Sequence, residues 1–394
     1  MKKFWAVFRE EARYLLTGRF PLVLIIFCLP LAFAILFGLI YSANTVKNIP
    51  LVIYDQDQSS LSRTLIQMYA DSERYTIVSY VHTQEEMEEE IHRSEALVAL
   101  GIPEDFAKNV KKGVGTEVLL MVNSSNNMFG NGALSSAQEI NRSFSVGVSK
   151  KLVEGMGILP QAAVNAAYPV RLGVRILNNP ANGYTSFMLS GLMLNGFQIG
   201  LMLTAAPLLI TECCRRRYGK EYASWLLMLG KVLPYWCFAV PAFVLSLLVV
   251  VYGFDVPMRG SWLDAAVLGG AFAFFVLGVM LLFSACSPTR VMSMQIPMVY
   301  IMPGLLYSGL SWPAFDMNEI AGFVSLLLPM SYAGDNLRDI LLAGYAPALW
   351  PDAGKMLLGG FVAGLLAWGI FAFRRRYSLK KGGGSHADAA DSMA

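Results

Sequence analysis

The stretch "FPLVLIIFCLPLAFAILFGLIY", Phe20 to Tyr41, runs for 22 residues without one charged side chain. About 20 apolar residues suffice to cross the ~30 Å hydrocarbon core of a bilayer. A chain in hydrocarbon must satisfy every backbone hydrogen bond internally, so such a run has to be a helix. Five further runs qualify: Tyr184 to Ile210, Val232 to Tyr252, Trp262 to Ala285, Val291 to Leu310 and Met356 to Phe373. The expected fold is an α-helical polytopic membrane protein with six transmembrane helices, the first at 20–41 and the others within 184–373. Composition agrees, at 55% hydrophobic and 15% charged residues. A signal peptide does not fit the first run. It is too long for an h-region, carries Pro30 in its middle and precedes no small-residue cleavage site.

Basic residues orient the spans. Lys2, Lys3, Arg9, Arg13 and Arg19 precede the first; Arg215, Arg216, Arg217 and Lys220 follow the second. Arg290 lies between the fourth and fifth, and Arg374, Arg375, Arg376, Lys380 and Lys381 follow the sixth. With six spans all of these share one face, which the positive-inside rule makes cytoplasmic, with both termini inside. Ahead of the first span, residues 1–19 place Phe4, Trp5, Phe8, Ala12 and Leu15 near helical spacing. A helix lying in the cytoplasmic interface fits that pattern, with Trp5 at headgroup level. The plainer alternative is a charged cap on the first span.

Residues 42–183 are of soluble character and long enough for a small domain. Short strands such as "IPLVIYD", "YTIVSYV", "ALVALGI" and "TEVLLMVN" alternate with helical stretches. That order implies right-handed crossovers and a small, mainly parallel sheet. Pro103 opens a short helix through Val110, a longer helix is expected from Asn126 to Gly155, and "YPVRLGVRILNN" reads as a late strand. Asp57 reads as an N-cap. The acidic run Glu85, Glu86, Glu88, Glu89 and Glu90 reads as the solvated face of a helix. The 374–394 segment is a cytoplasmic tail with a flexible Gly/Ser-rich end.

Chemical motifs are missing. No G-x-x-x-x-G-K-[ST], H-E-x-x-H or G-x-S-x-G occurs. Five cysteines in or beside apolar runs and three isolated histidines provide no metal-ligand spacing, so no metal site is expected. The basic residues are not clustered as a nucleic-acid surface would be. The spans hold almost no ionisable residues, unlike transporters coupled to protons or sodium. If the chain moves something, the energy comes from another subunit.

Several stretches then resemble one family. "IPLVIYDQDQSSLSRTLIQMY", "EALVALGIPEDFAKNVKKG" and "NNPANGYTSFMLSGLM" are similar to the ABC-2-type transporter permeases with a large extracytoplasmic domain between their first two spans. "TECCRRRYGKEYASWLLMLGKVLPY" resembles that family's charged segment after the second span, and "SGLSWPAFDMNEIAGFVSLLLPMSYAGDNLRDILLAG" its outward segment before the last. Lys220 stands where the family usually has a small hydroxyl residue, and Cys213 and Cys214 are atypical.

The resemblance implies the membrane subunit of an ATP-driven exporter of amphipathic or lipophilic cargo, in the bacterial cytoplasmic (inner) membrane. Residues 211–231 would form a coupling segment docking on a separate ATPase subunit, through Glu212, Arg215, Arg216, Gly219, Glu221, Gly230 and Lys231. ATP and Mg would belong to that partner, leaving this chain without a cofactor. A second permease copy or a paralogue would complete the path, and a periplasmic adaptor is a further partner such systems admit. Residues 312–345, with Pro313, Pro329 and Arg338, would form an outward re-entrant element; a surface amphipathic helix is the alternative. Orientation alone would explain the three arginines, but it has no need of Glu212 or Glu221. From the residues alone, a membrane signalling or assembly protein with a ligand-binding outer domain stays open.

Overall fold

The computed structural model describes residues 2–18, 20–155, 177–180, 183–215, 218 and 222–381. In chain order come helix α1 (Lys2–Arg13), a π-helical turn (Tyr14–Gly18) and α2 (Phe20–Ile40). Then follow β1 (Ile49–Asp55), α3 (Ser60–Ala70), β2 (Tyr75–Val81), α4 (Gln84–His92), β3 (Val98–Ile102), α5 (Phe106–Lys111), β4 (Leu119–Val122) and α6 (Asn127–Gly155). The chain continues through α7 (Tyr184–Ala205), α8 (Leu208–Arg215), α9 (Ser224–Gly253), α10 (Trp262–Cys286) and α11 (Arg290–Ile301). It ends with α12 (Glu319–Leu327), α13 (Met330–Leu342) and α14 (Leu349–Lys381). Two compact units result, one from residues 1–44 and 176–394 and the other from Thr45–Arg175.

Among the described residues of the first unit, five helical stretches are long and apolar enough to cross a membrane: α2, α7 with α8, α9, α10 and α14. The chain is therefore a multi-pass membrane protein. The run at 291–310 differs from its expectation. It forms the 12-residue α11 and then two 3-10 turns, Met302–Gly304 and Leu306–Ser308, before Gly309 at φ +83°. Pro303 withholds a backbone donor there, and the left-handed Gly309 ends the run. A charge-free stretch can thus be long enough to span and still break.

Burial ranks the helices. The apolar windows of α7 and α10 are 83% and 72% buried, against 28% for α2 and for α14. α7 and α10 are inner pillars, where Phe197 packs on Phe243 and Phe272 with ring centroids 5.6 and 6.1 Å apart. α10 and α14 cross backbone to backbone: a Cβ on Gly278 would lie 2.4 Å from the Gly360 carbonyl oxygen. Without a hydrophobic driving force between helices in lipid, close approach through small residues supplies the packing. At their other ends α2 and α7 are tied by the Tyr184 amide, which donates to the Asn44 carbonyl at 2.8 Å.

The Thr45–Arg175 unit is α/β, with strand order β2-β1-β3-β4; β1 runs parallel to β2 and β3, while β4 is antiparallel. Alternation places Leu51 and Ile53 against α3 and α6, and Val52 against Met87 of α4, so both sheet faces are covered. Ser59, and not Asp57, caps α3, accepting from the Leu61 and Ser62 amides at 3.1 Å each. Asp57 instead accepts from the Ala107 amide at the start of α5. Most of the expected late strand, residues 168–176, lies outside the described residues; its last residues, Leu177–Asn179, are not strand.

Candidate functional site

α1 is amphipathic, and each of its faces has a task. Phe4, Trp5 and Phe8 form an aromatic cluster with centroids 5.3–6.5 Å apart, and Trp5 is half exposed. Val7 and Glu11, one turn apart, are buried on another side. Val7 lies over Gly230 of α9, where a Cβ would be 2.9 Å from its Cγ1. Gly230 therefore lets α1 approach α9 at van der Waals distance.

The next residue is Lys231. Its Nζ lies 3.1 Å from Glu11 Oε2 and 3.0 Å from Glu212 Oε2. Glu11, Glu212 and Lys231 are 3%, 5% and 6% exposed, so one buried ammonium joins α1, α8 and α9. Taking three charges out of water is costly unless their remaining lone pairs and protons are used. Tyr218 does part of this. Its amide donates to Glu212 Oε1 at 3.4 Å, its hydroxyl donates to Glu10 Oε2 at 2.7 Å, and its ring lies 5.5 Å from Lys231 Nζ.

α14 closes the junction. Arg375 donates to the Tyr222 carbonyl at 2.6 Å and to the Tyr218 carbonyl and Ser224 Oγ at 3.3 Å each. Arg374 donates to the carbonyls of Ala285 and Ser287 at 2.5 and 2.7 Å, at the C-terminal end of α10. Ser284 Oγ accepts from the Leu209 and Ile210 amides at 2.9 and 3.2 Å, satisfying donors at the start of α8.

The candidate residues thus separate. Glu212, Gly230 and Lys231 face inward, holding α1 and α8 to α9; they are not presented as surface contacts. Arg215 closes α8, with its side chain outside the described residues, and Arg216, Gly219 and Glu221 lie outside them altogether. Sequence reasoning missed Glu10, Glu11, Tyr218 and the structural use of Arg375. One signal was available: Glu10 and Glu11 are acidic in a segment whose orientation needs only positive charge.

In the 312–345 segment, Pro313 is exposed and Pro329 is buried at the break between α12 and α13. Arg338 pairs with Asp335 at 2.7 Å, its guanidinium 5.2 Å from the Phe187 ring centroid. Ser325 and Ser331 both donate to the Tyr307 carbonyl, fastening the helix pair to the turn after α11. Among the described residues no cluster of His, Cys, Asp and Glu could hold a metal ion.

A family model described as ABC-2 family transporter protein matches residues 21–368. The chain is 22% identical over 377 residues to "Probable multidrug ABC transporter permease YbhR" of Escherichia coli K12, covering 94% of this chain and 98% of that protein. It is 28% identical over 124 residues to "Probable multidrug ABC transporter permease YbhS" of the same organism, 31% of this chain and 33% of that one. Similarity to "ABC transporter G family member 20" of Dictyostelium discoideum is 23% over 173 residues, 43% of this chain and 24% of that protein.

Proposed function

Since the chain belongs to the ABC-2 family of transporter proteins, we propose that it is the permease of an exporter, moving amphipathic or lipophilic molecules out of the cytoplasm or inner leaflet. A separate ATPase subunit drives it, and residues 211–231 carry the stroke. The names of the Escherichia coli relatives suit a multidrug cargo. In this reading α11 and its turns make the sixth crossing, and the termini are cytoplasmic. The Thr45–Arg175 unit is extracytoplasmic, and α12 and α13 form the outward re-entrant pair. A second permease copy or paralogue covers the exposed apolar side chains of α11 and the turn after it, such as Val291, Val299 and Met302.

The observation that carries the coupling role is the anchoring of the charged segment on both sides. Glu212 is clamped ahead of its basic run, residues 215–220, and Arg375 holds the carbonyl of Tyr218 within that run and of Tyr222 after it. An orientation signal needs charge but no fixed backbone. A surface that must transmit force to another protein needs both.

The test reverses one charge. Glu221→Lys adds positive charge beside the arginines and should insert normally. Across an interface it sets like charge against like, which can change binding by a few kcal/mol, whereas an exposed charge alone changes it by under about 1 kcal/mol. Co-purification with the ATPase, or substrate-stimulated ATP hydrolysis in reconstituted membranes, should be lost at unchanged expression. Wild-type binding and turnover would leave the arginines as orientation signals only.

A further inference from the structure

The face formed by α9, α10 and α14 holds two adjoining hollows beside the end of the proposed coupling segment. The first is an apolar groove of about 720 Å³, walled by Trp225, Leu229 and Trp236 of α9 and by Phe361, Leu365 and Trp368 of α14. Each set recurs at three-, four- or seven-residue spacing, so it forms one stripe of its helix. Between them Gly364 leaves the wall open: a Cβ there would meet nothing within 4 Å. The second hollow, about 680 Å³, shares Trp225 and Trp368 with the first and adds Ser224, Arg375, Arg376 and Tyr377. At a pair of tryptophans, an oily channel opens into a basic cup.

Dimensions and charge select the occupant. From Trp225 to Trp236 the helix rises ~16 Å, which is about the depth of one leaflet's hydrocarbon. An extended hydrocarbon chain suits a groove walled by apolar side chains and leading at one end to basic ones. At the polar end Arg375 is committed to the carbonyls of Tyr218 and Tyr222, while Arg376 beside it is exposed. Tryptophans favour the level where hydrocarbon meets headgroups, and they mark that boundary here. We propose that this crevice binds one anionic phospholipid, an acyl chain lying along the groove and the phosphate on Arg376. The site borders the proposed coupling segment, which contributes Ser224 and Trp225, and its test reads lipid binding and not ATP hydrolysis.

Native mass spectrometry of the full-length protein in detergent tests it, with phosphatidylglycerol and phosphatidylcholine of matched chains as probes. Wild type should retain one phosphatidylglycerol in clear preference. Arg376→Gln should weaken phosphatidylglycerol by about fivefold, towards phosphatidylcholine, since one basic residue near an anionic lipid contributes roughly that factor. Gly364→Phe fills the groove and should weaken both lipids, with an unchanged thermal midpoint because the ring enters open space. An intact phosphatidylglycerol preference in Arg376→Gln, or undiminished retention in Gly364→Phe, overturns the proposal. So does a Gly364→Phe protein that keeps its lipid but loses self-association, because the groove would then belong to a second copy.

Discussion

Lys231 shows how much one residue can decide. Its ammonium lies within 3.1 Å of carboxylates from two other elements, all three side chains almost fully withdrawn from solvent. Lys231→Met would leave Glu11 and Glu212 facing each other uncompensated. Breaking a buried ion pair from one side costs about 3–5 kcal/mol. The thermal midpoint in detergent, followed by intrinsic fluorescence, should fall accordingly. Adding Glu11→Gln and Glu212→Gln to that variant should recover most of the loss, since a neutral set has no stranded charge. A triple variant no better than Lys231→Met would mean the lysine acts through packing alone. The sequence made Glu212 and Lys231 visible as charges beside a span, but not that they meet each other. Their distance along the chain is 19 residues (231 − 212) and that to Glu11 is 220 residues, so only tertiary contact pairs them.

At the scale of elements, glycines set which helices touch. Gly278→Val would drive a side chain into the Gly360 carbonyl, a backbone atom with no rotamer to move. Overpacking of this sort typically costs 1–3 kcal/mol or more. Folded yield on size exclusion should drop sharply for that variant. Gly369→Val, at a site with nothing within 4 Å, should stay near wild type. Similar yields for both would show that α10 and α14 can separate without penalty. Gly230→Leu tests α1 in the same way: with Val7 pushed off α9, the clamp at Glu11 should open and protease sites in the first 18 residues should become accessible. Periodicity announces α1 and its two faces, yet it does not reveal that the Val7 and Glu11 side is the one buried.

For the whole molecule, the division into two units makes a direct forecast. The Thr45–Arg175 unit has its own sheet and a core on each side of it. Residues 45–175 expressed alone with an export signal should give a soluble protein with mixed α and β circular dichroism. A random-coil spectrum would mean that the unit depends on the rest of the chain. Orientation is tested separately: reporters fused after Ser42 and Asp316 should read outside, and those after Arg217 and Arg376 inside. An inside reading after Ser42 would overturn the proposed topology.

Local properties are what the sequence determined by itself. Run length and the absence of charge mark the spans, alternation marks the α/β unit, and Pro329 marks a helix break; each depends on neighbours a few residues apart. The tertiary structure decided which apolar faces are inside. No polar face marks α7 or α10 off from α2 along the chain, because the apolar residues of all three are spread around the helix. Only packing buries the first two and leaves the third outward. Likewise the Lys231 clamp and the groove that opens beside Arg376 exist because separate helices come together there. Hydrophobicity specifies that a segment leaves water; shape and hydrogen bonding between helices specify where it goes.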